Sequence, residues 1–152
     1  HDYLESRGYI HYEISNYALP GYESRHNSSY WKSISYLGIG PSAHSYNGKK
    51  RMWNIAHLPK YMEGIKGTTS ILEEEVLSEK DIFNEWIMTG LRQKEGLDAS
   101  LFGGLFERFR TEFYSQIKEI PAQYIEVSEE RIRLSRLGMV YADFVGSELF
   151  VI

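Results

Sequence analysis

Apolar residues along this chain alternate with polar ones in the first third, then recur at helical spacing beyond Pro59. Asp2–Ser6 reads as the last turns of a helix, stopped by Gly8 in the usual C-terminal position. Tyr9–Ile14 is predicted as a strand, since aromatic and β-branched residues predominate at alternate places. Asn16–Asn27 reads as a loop with Pro20-Gly21 as its turn. Leu37–Ile39 is a second candidate strand, broken by Gly38, Gly40 and Pro41. Two strands and a helix cannot cover both faces of a sheet, so this head is expected to be the end of a larger α/β unit.

From Pro59 the period becomes helical. Pro59–Lys66 suits a short helix, with proline in its first turn and Gly67 just past its end. Ser78–Gln93 has the clearest stripe, formed by Ile82, Phe83, Trp86, Ile87 and Leu91, with Ser78 as cap and Asp81 at the capping-box position. Asp98 is expected to cap a helix carrying Leu101, Phe102, Leu105 and Phe106, weakened by Gly103-Gly104. Phe109, Phe113 and Ile117 predict another helix that ends before Pro121. Ile125/Val127 and Ile132/Leu134, separated by Ser128-Glu129-Glu130, predict a β-hairpin. Ser135 is then expected to cap a last helix with Leu137, Val140, Tyr141 and Phe144 on its apolar face. The order helix, helix, helix, hairpin, helix is winged-helix-like, and the fold class is α+β. These aromatic stripes are read as core, since helical spacing is what a buried face requires.

Composition narrows the picture. The chain has 152 residues, 42% hydrophobic and 25% charged, as in a globular protein of one domain or one domain plus part of another. No apolar run reaches the roughly 18–20 residues that span a bilayer, and no signal-peptide pattern opens the chain. Cysteine is absent, which rules out a disulfide or a thiolate metal site within these residues and fits a cytoplasmic origin. The chain begins at His1 rather than Met, as an excised piece would. Net charge is −4, unevenly spread: residues 1–52 hold six Lys/Arg and four Asp/Glu (+2), the remainder 11 and 17 (−6). The acidic body argues against nucleic acid as its partner, because phosphate binding needs a basic face.

Chemistry concentrates between residues 9 and 57. All five histidines, His1, His11, His26, His44 and His57, lie before residue 58, interleaved with aromatics. Neutral imidazole is a good iron ligand and an aromatic-lined surface suits a porphyrin. On spacing alone, however, His11 and His44 read as hydrogen-bonded strand residues and His57 as part of a helix start. No pair has the i, i+4 spacing of a metalloprotease, and none lies near a plausible nucleophile. Leu37-Gly38-Ile39-Gly40-Pro41-Ser42 lacks both G-x-G-x-x-G and the Lys-Ser/Thr of a P-loop. Its glycines permit either close approach of backbone to a ligand or a simple bulge.

Tyr12-Glu13-Ile14-Ser15-Asn16-Tyr17-Ala18, Pro20-Gly21 and His26-Asn27-Ser28-Ser29-Tyr30-Trp31 closely resemble the radical-SAM oxygen-independent coproporphyrinogen III oxidase (HemN/HemW) family. So do Tyr36–Gly40, Ser42–Tyr46, Arg51–Asn54 and the tail Ile132–Ser135 through Gly138 and Asp143. The H-N-x-x-Y-W run is the most specific of these and resembles the heme-chaperone branch. The resemblance implies that residues 1–52 are the last strands of a partial (β/α) barrel and residues 53–152 a winged-helix-like domain covering its opening. It implies heme as ligand, with His26 on the iron and Asn27, Tyr30 and Trp31 at the site. Gly38 and Gly40 would face S-adenosylmethionine, and a [4Fe–4S] cluster would be held by cysteines that this chain lacks. Heme-accepting proteins are the implied partners. Severed barrel strands would expose edges that pair with a second copy.

Three functional classes follow: a radical-SAM heme chaperone, favoured here; an oxygen-independent coproporphyrinogen III oxidase; and a winged-helix module for nucleic acid or protein. The third rests on Arg131, Arg133 and Arg136, which Glu126, Glu129 and Glu130 flank. That charge arrangement reads better as a solvated wing.

Overall fold

In the computed structural model, residues 1–67, 70–98, 100 and 103–152 are described, and their contacts divide into two compact units. One unit joins His1–Lys32 to Glu79–Ile152; the other is Ser33–Ser78. Helix and strand are mixed throughout. Among the described residues no helix is long and apolar enough to cross a membrane.

The first unit opens with α1 (Asp2–Ser6), which ends at Gly8 with φ +82°, and continues into strands β1 (Ile10–Glu13) and β2 (Asn16–Ala18). The expected loop after Asn16 is therefore partly a strand, paired antiparallel with β1. Glu13 makes the turn possible. Its buried carboxylate accepts from the Ser15 amide at 2.9 Å and from the Asn16 side chain, so the chain reverses within two residues. A second departure is α2 (Arg25–Trp31), which Ser24 caps by accepting from the Asn27 amide at 3.2 Å.

The core of this unit forms on α4 (Glu79–Leu91), whose Phe83, Ile87 and Leu91 are spaced by four residues and buried. Packed with them are Phe106, Phe113 and Ile117 of α5 (Gly104–Ile117). Phe83 meets Phe113 edge-on, with centroids 5.7 Å apart and planes at 86°, the arrangement aromatic quadrupoles favour. Where two helices are expected between Asp98 and Pro121, α5 is one helix along the described residues, because Phe106, Phe109, Phe113 and Ile117 form one continuous stripe. Asp98 belongs instead to strand β6 (Leu97–Asp98), and its side chain still accepts from the Ser100 amide at 3.1 Å. The expected core residues Leu101 and Phe102 lie outside the described residues.

The predicted hairpin is present as β7 (Ile125–Val127) and β8 (Arg131–Leu134), with Ile125 opposite Leu134 and Val127 opposite Ile132. β6 joins it in a three-stranded antiparallel sheet of order β6-β8-β7. The chain then makes a 3₁₀ turn (Gly138–Tyr141) and α6 (Ala142–Glu148). Here the predicted face is reversed. Val140 is 76% exposed, and Leu137, Tyr141 and Phe144 are also exposed, whereas Gly138, Ala142, Val145, Gly146 and Leu149 are buried. The reason is close approach: a Cβ on Gly138 would lie 1.8 Å from the Tyr124 carbonyl oxygen. Small residues turn this face inward, and large apolar neighbours are left outside. Asn84 pins the terminus, donating to the Val151 carbonyl at 3.1 Å and accepting from its amide at 3.0 Å.

The second unit is a three-stranded antiparallel sheet of order β3-β4-β5, formed by His44–Tyr46, Lys50–Asn54 and Leu72–Val76, with helix α3 (Leu58–Ile65). Pro59 lies in the first turn of α3, and His57 caps it by accepting from the Lys60 amide at 3.3 Å. Leu37–Ile39 is not a strand. Only Tyr36 bridges to Tyr46, and Leu37 and Ile39 stand 81% and 84% exposed.

Two outcomes test this packing. Leu149→Ala is expected to cost about 2–5 kcal/mol in denaturant unfolding and Leu137→Ala within about 0.5 kcal/mol; equal losses would mean the last helix presents the other face. Asp98 provides the second. A hydrogen bond from the Ser100 hydroxyl, assisted by the Ser100 amide and the Arg131 charge, holds its carboxyl below the usual carboxylate range despite some desolvation. A lowered folded-state pKa stabilises above the unfolded carboxylate's pKa, and that stabilisation is lost as pH falls through the folded value. The melting-temperature gap between wild type and Asp98→Asn should therefore be widest near neutral pH and close in acid. A gap independent of pH would refute this origin.

Candidate functional site

The sequence places six candidate residues on two segments, and the structure puts those segments in different units. His26, Asn27, Tyr30 and Trp31 all lie on α2 in the first; Gly38 and Gly40 lie in the second. A four-residue spacing sets His26 and Tyr30 on one face of α2, both exposed. Their rings meet edge-on, with centroids 4.9 Å apart and planes at 87°. Among the described residues no hydrogen bond engages the His26 imidazole, which leaves its ring nitrogens open to a ligand. Asn27 is half-buried, and its backbone amide is taken by the Ser24 cap.

Trp31 lies further round the helix, half-buried. Arg92, just beyond the end of α4, places its guanidinium 5.4 Å from the centre of the Trp31 ring. Such a contact is worth about 0.5–2 kcal/mol, more as water is excluded. Gln93 adds a hydrogen bond to the Trp31 carbonyl at 3.4 Å. Arg92 also reaches Asp143 in the first turn of α6 at 3.3 Å, and its carbonyl accepts from the Ile14 amide at 2.9 Å. The indole nitrogen of Trp31 and the Nε of Arg92 are buried without hydrogen-bond partners. Arg92 and Gln93 were invisible to sequence reasoning as site residues. Their one signal is position, two polar side chains closing an apolar helix.

Gly38 and Gly40 sit in a tightly bonded loop. The Gly38 amide donates to the Ser45 hydroxyl at 2.9 Å, the Gly40 amide to the Tyr61 hydroxyl at 3.1 Å, and the Asn54 amide group to the Gly40 carbonyl at 2.9 Å. A Cβ on Gly38 would lie 2.1 Å from the His44 carbonyl oxygen. Glycine at 38 is thus required by approach to the protein's own backbone.

The remaining histidines have local contacts, but the hydrogen bonding expected of His11 is not made, since both its ring nitrogens are buried without partners. His11 is buried and stacked on Tyr17, with centroids 4.3 Å apart and planes at 10°. His1 bonds the Tyr17 hydroxyl at 3.0 Å, His57 caps α3, and His44 lies 6.0 Å from the Trp53 ring. Among the described residues no three His, Cys, Asp or Glu side chains cluster as a metal site. At the hairpin, Arg131 pairs with Asp98 at 3.0 Å, Arg133 with Glu126 at 2.7 Å, and Arg136 with Asp2.

Residues 77–141 match the family model described as the HemN C-terminal domain. The chain is 36% identical over 139 residues to the heme chaperone HemW of Lactococcus lactis, covering 90% of this chain and 36% of that protein. It is 32% identical over 151 residues to the heme chaperone HemW of Bacillus subtilis, covering 97% and 38%. The chain thus spans little more than a third of the length of these relatives. Its fold is similar to that of coproporphyrinogen III oxidase (HemN) from Escherichia coli, described as a radical SAM enzyme, with a TM-score of 0.72 and 17% identity over 99% of this chain and 39% of that one.

The glycine loop yields a direct test. Gly38→Ala must displace backbone, and it is expected to destabilise the second unit by about 1–3 kcal/mol in denaturant unfolding. Unfolding like wild type would mean that the Gly38–His44 approach is not tight.

Proposed function

We propose that this chain, a member of the HemN/HemW family, is the C-terminal part of a heme chaperone that takes up heme and passes it to acceptor proteins in the cytoplasm. One observation carries the reading: His26 and Tyr30 stand exposed on the same face of α2, inside the H-N-x-x-Y-W run. Heme is cargo here. His26 supplies a neutral imidazole to the iron, and the Tyr30 ring beside it offers apolar surface to the porphyrin edge. A ligand on an exposed helix face encloses little of a porphyrin, whereas tightly kept ligands are mostly surrounded. Such a site suits holding and release better than permanent retention.

S-adenosylmethionine and a [4Fe–4S] cluster belong to this reading of the whole protein. The chain has no cysteine, so the cluster ligands must come from outside these residues, and no step is assigned to the cluster. The backbone groups of Gly38 and Gly40 are already bonded to Ser45, Tyr61 and Asn54, and they are not enlisted for S-adenosylmethionine. In the same reading residues 1–52 are the end of the barrel and residues 53–152 the winged-helix-like domain. The hairpin and the helices around it support the second assignment. Pairing of Arg131, Arg133 and Arg136 with carboxylates favours a solvated wing over a nucleic-acid surface.

Heme titration of the intact protein, followed at the Soret band, tests the proposal. Wild type should give a shifted band that His26→Ala loses, with affinity down at least about tenfold, a difference of about 1.4 kcal/mol. Equal affinity in the variant would remove His26 as the ligand. Conversion of coproporphyrinogen by the cluster-loaded protein would favour an oxidase instead.

A further inference from the structure

We infer that Arg92 is a positioning residue for the heme-binding helix, acting through Trp31, and that Trp31 anchors this helix instead of lining the porphyrin. The inference rests on the heme reading of α2. Its grounds are geometric. α2 has seven residues and none is fully buried, so its contact with α4 is shallow and fixes its orientation weakly. An isolated helix of this length is unstable in water, and something outside it must hold it.

Arg92 is placed to do so from three directions. Its guanidinium lies 5.4 Å from the centre of the Trp31 ring and 3.3 Å from the Asp143 carboxylate on α6, while its carbonyl accepts from Ile14 beside the β1–β2 turn. Lys94 extends the backbone link, donating to the Tyr12 carbonyl at 3.2 Å. Gln93 holds the carbonyl at the end of α2. One polar segment after α4 therefore ties α2, the β1–β2 hairpin and α6 together. Trp31, five residues after His26, falls about 140° round the helix from it, given 100° per residue. Its indole nitrogen is buried, away from solvent, so the ring is committed to Arg92 and its surroundings. Orientation of His26 is then set from the opposite side of α2, through Trp31.

The test uses the intact protein and two readouts, amide exchange in residues 25–32 without heme, and heme affinity with the Soret position. Arg92→Ala is expected to speed exchange in α2 about tenfold and weaken heme binding about tenfold, with the far-UV spectrum and cooperative unfolding retained. Arg92→Lys keeps a charge for Asp143 but loses the flat guanidinium, and should loosen α2 in the same direction. This variant serves if the alanine form does not fold. The double variant Trp31→Ala/Arg92→Ala should be no worse than either single change, since both break one link. Unchanged exchange in both Arg92 variants overturns the tether whatever heme does. Faster exchange with unchanged heme affinity overturns the positioning role, provided that His26→Ala has lost heme. Additive losses from Trp31→Ala and Arg92→Ala overturn the anchor role, because Trp31 would then meet the porphyrin independently. Should His26→Ala bind heme normally while Arg92→Ala loosens α2, the heme reading fails and the tether stands.

Discussion

Burial of the Phe83–Ile87–Leu91 face of α4 is the constraint on which the first unit depends. Each of these side chains contributes about 1.5–3 kcal/mol when taken fully out of water. The face is too wide for one partner. It takes α5, the β6-β8-β7 sheet and α6 together to cover it. Aromatic rings fill the α4–α5 contact, where Phe83 meets Phe113 and Trp86 meets Phe106 edge-on, the geometry ring quadrupoles favour. The end of α4 is then held in place, and with it the polar residues that follow Leu91.

The candidate site inherits its position from that fixed end. α2 contributes no side chain to the core, yet it carries His26 and Tyr30 in a defined relation to each other. Its attachment runs through half-buried Trp31, Arg92 and Gln93, two of which follow directly from α4. A rigid core supporting an exposed, lightly held helix separates stability from binding. Under the proposed heme reading, the core can be optimised for burial while the face of α2 that carries His26 and Tyr30 stays open to solvent. Buried donors without partners at Trp31 and Arg92 carry a desolvation cost, and they mark the attachment as weaker than the core beside it.

Legibility from sequence followed the type of force involved. The α4 stripe, the Ile125–Leu134 hairpin and the short helix after Pro59 were readable, because each combines a clear period with caps or turn residues. Strand β5, Leu72–Val76, carries three consecutive glutamates and no apolar alternation; backbone pairing with β4 and the contacts of Glu73 with Trp53 and Glu74 with Lys50 form it. Strand β2 is three residues long, held by backbone pairing with β1 and by the Glu13 carboxylate that closes its turn. On the last helix, hydropathy pointed to Leu137, Val140 and Phe144, and the fold buried Gly138, Ala142 and Gly146 instead. Hydropathy ranks side chains by their own transfer energy and has no term for how closely two backbones approach.

The sequence by itself determined the mixed α and β character of the chain, the core stripe of α4, the family resemblance, and the absence of any thiolate ligand. Those properties are local, set by periodicity, composition and motif. Tertiary structure alone decided that His26 and Tyr30 face outward together, that Trp31 turns beneath Arg92, and that the Gly38–Gly40 loop is occupied by Ser45, Tyr61 and Asn54. Each of these joins residues distant in sequence, from Trp31 to Arg92 or Gly40 to Tyr61. No local period encodes such a meeting, since it follows from how whole elements bury their faces against one another.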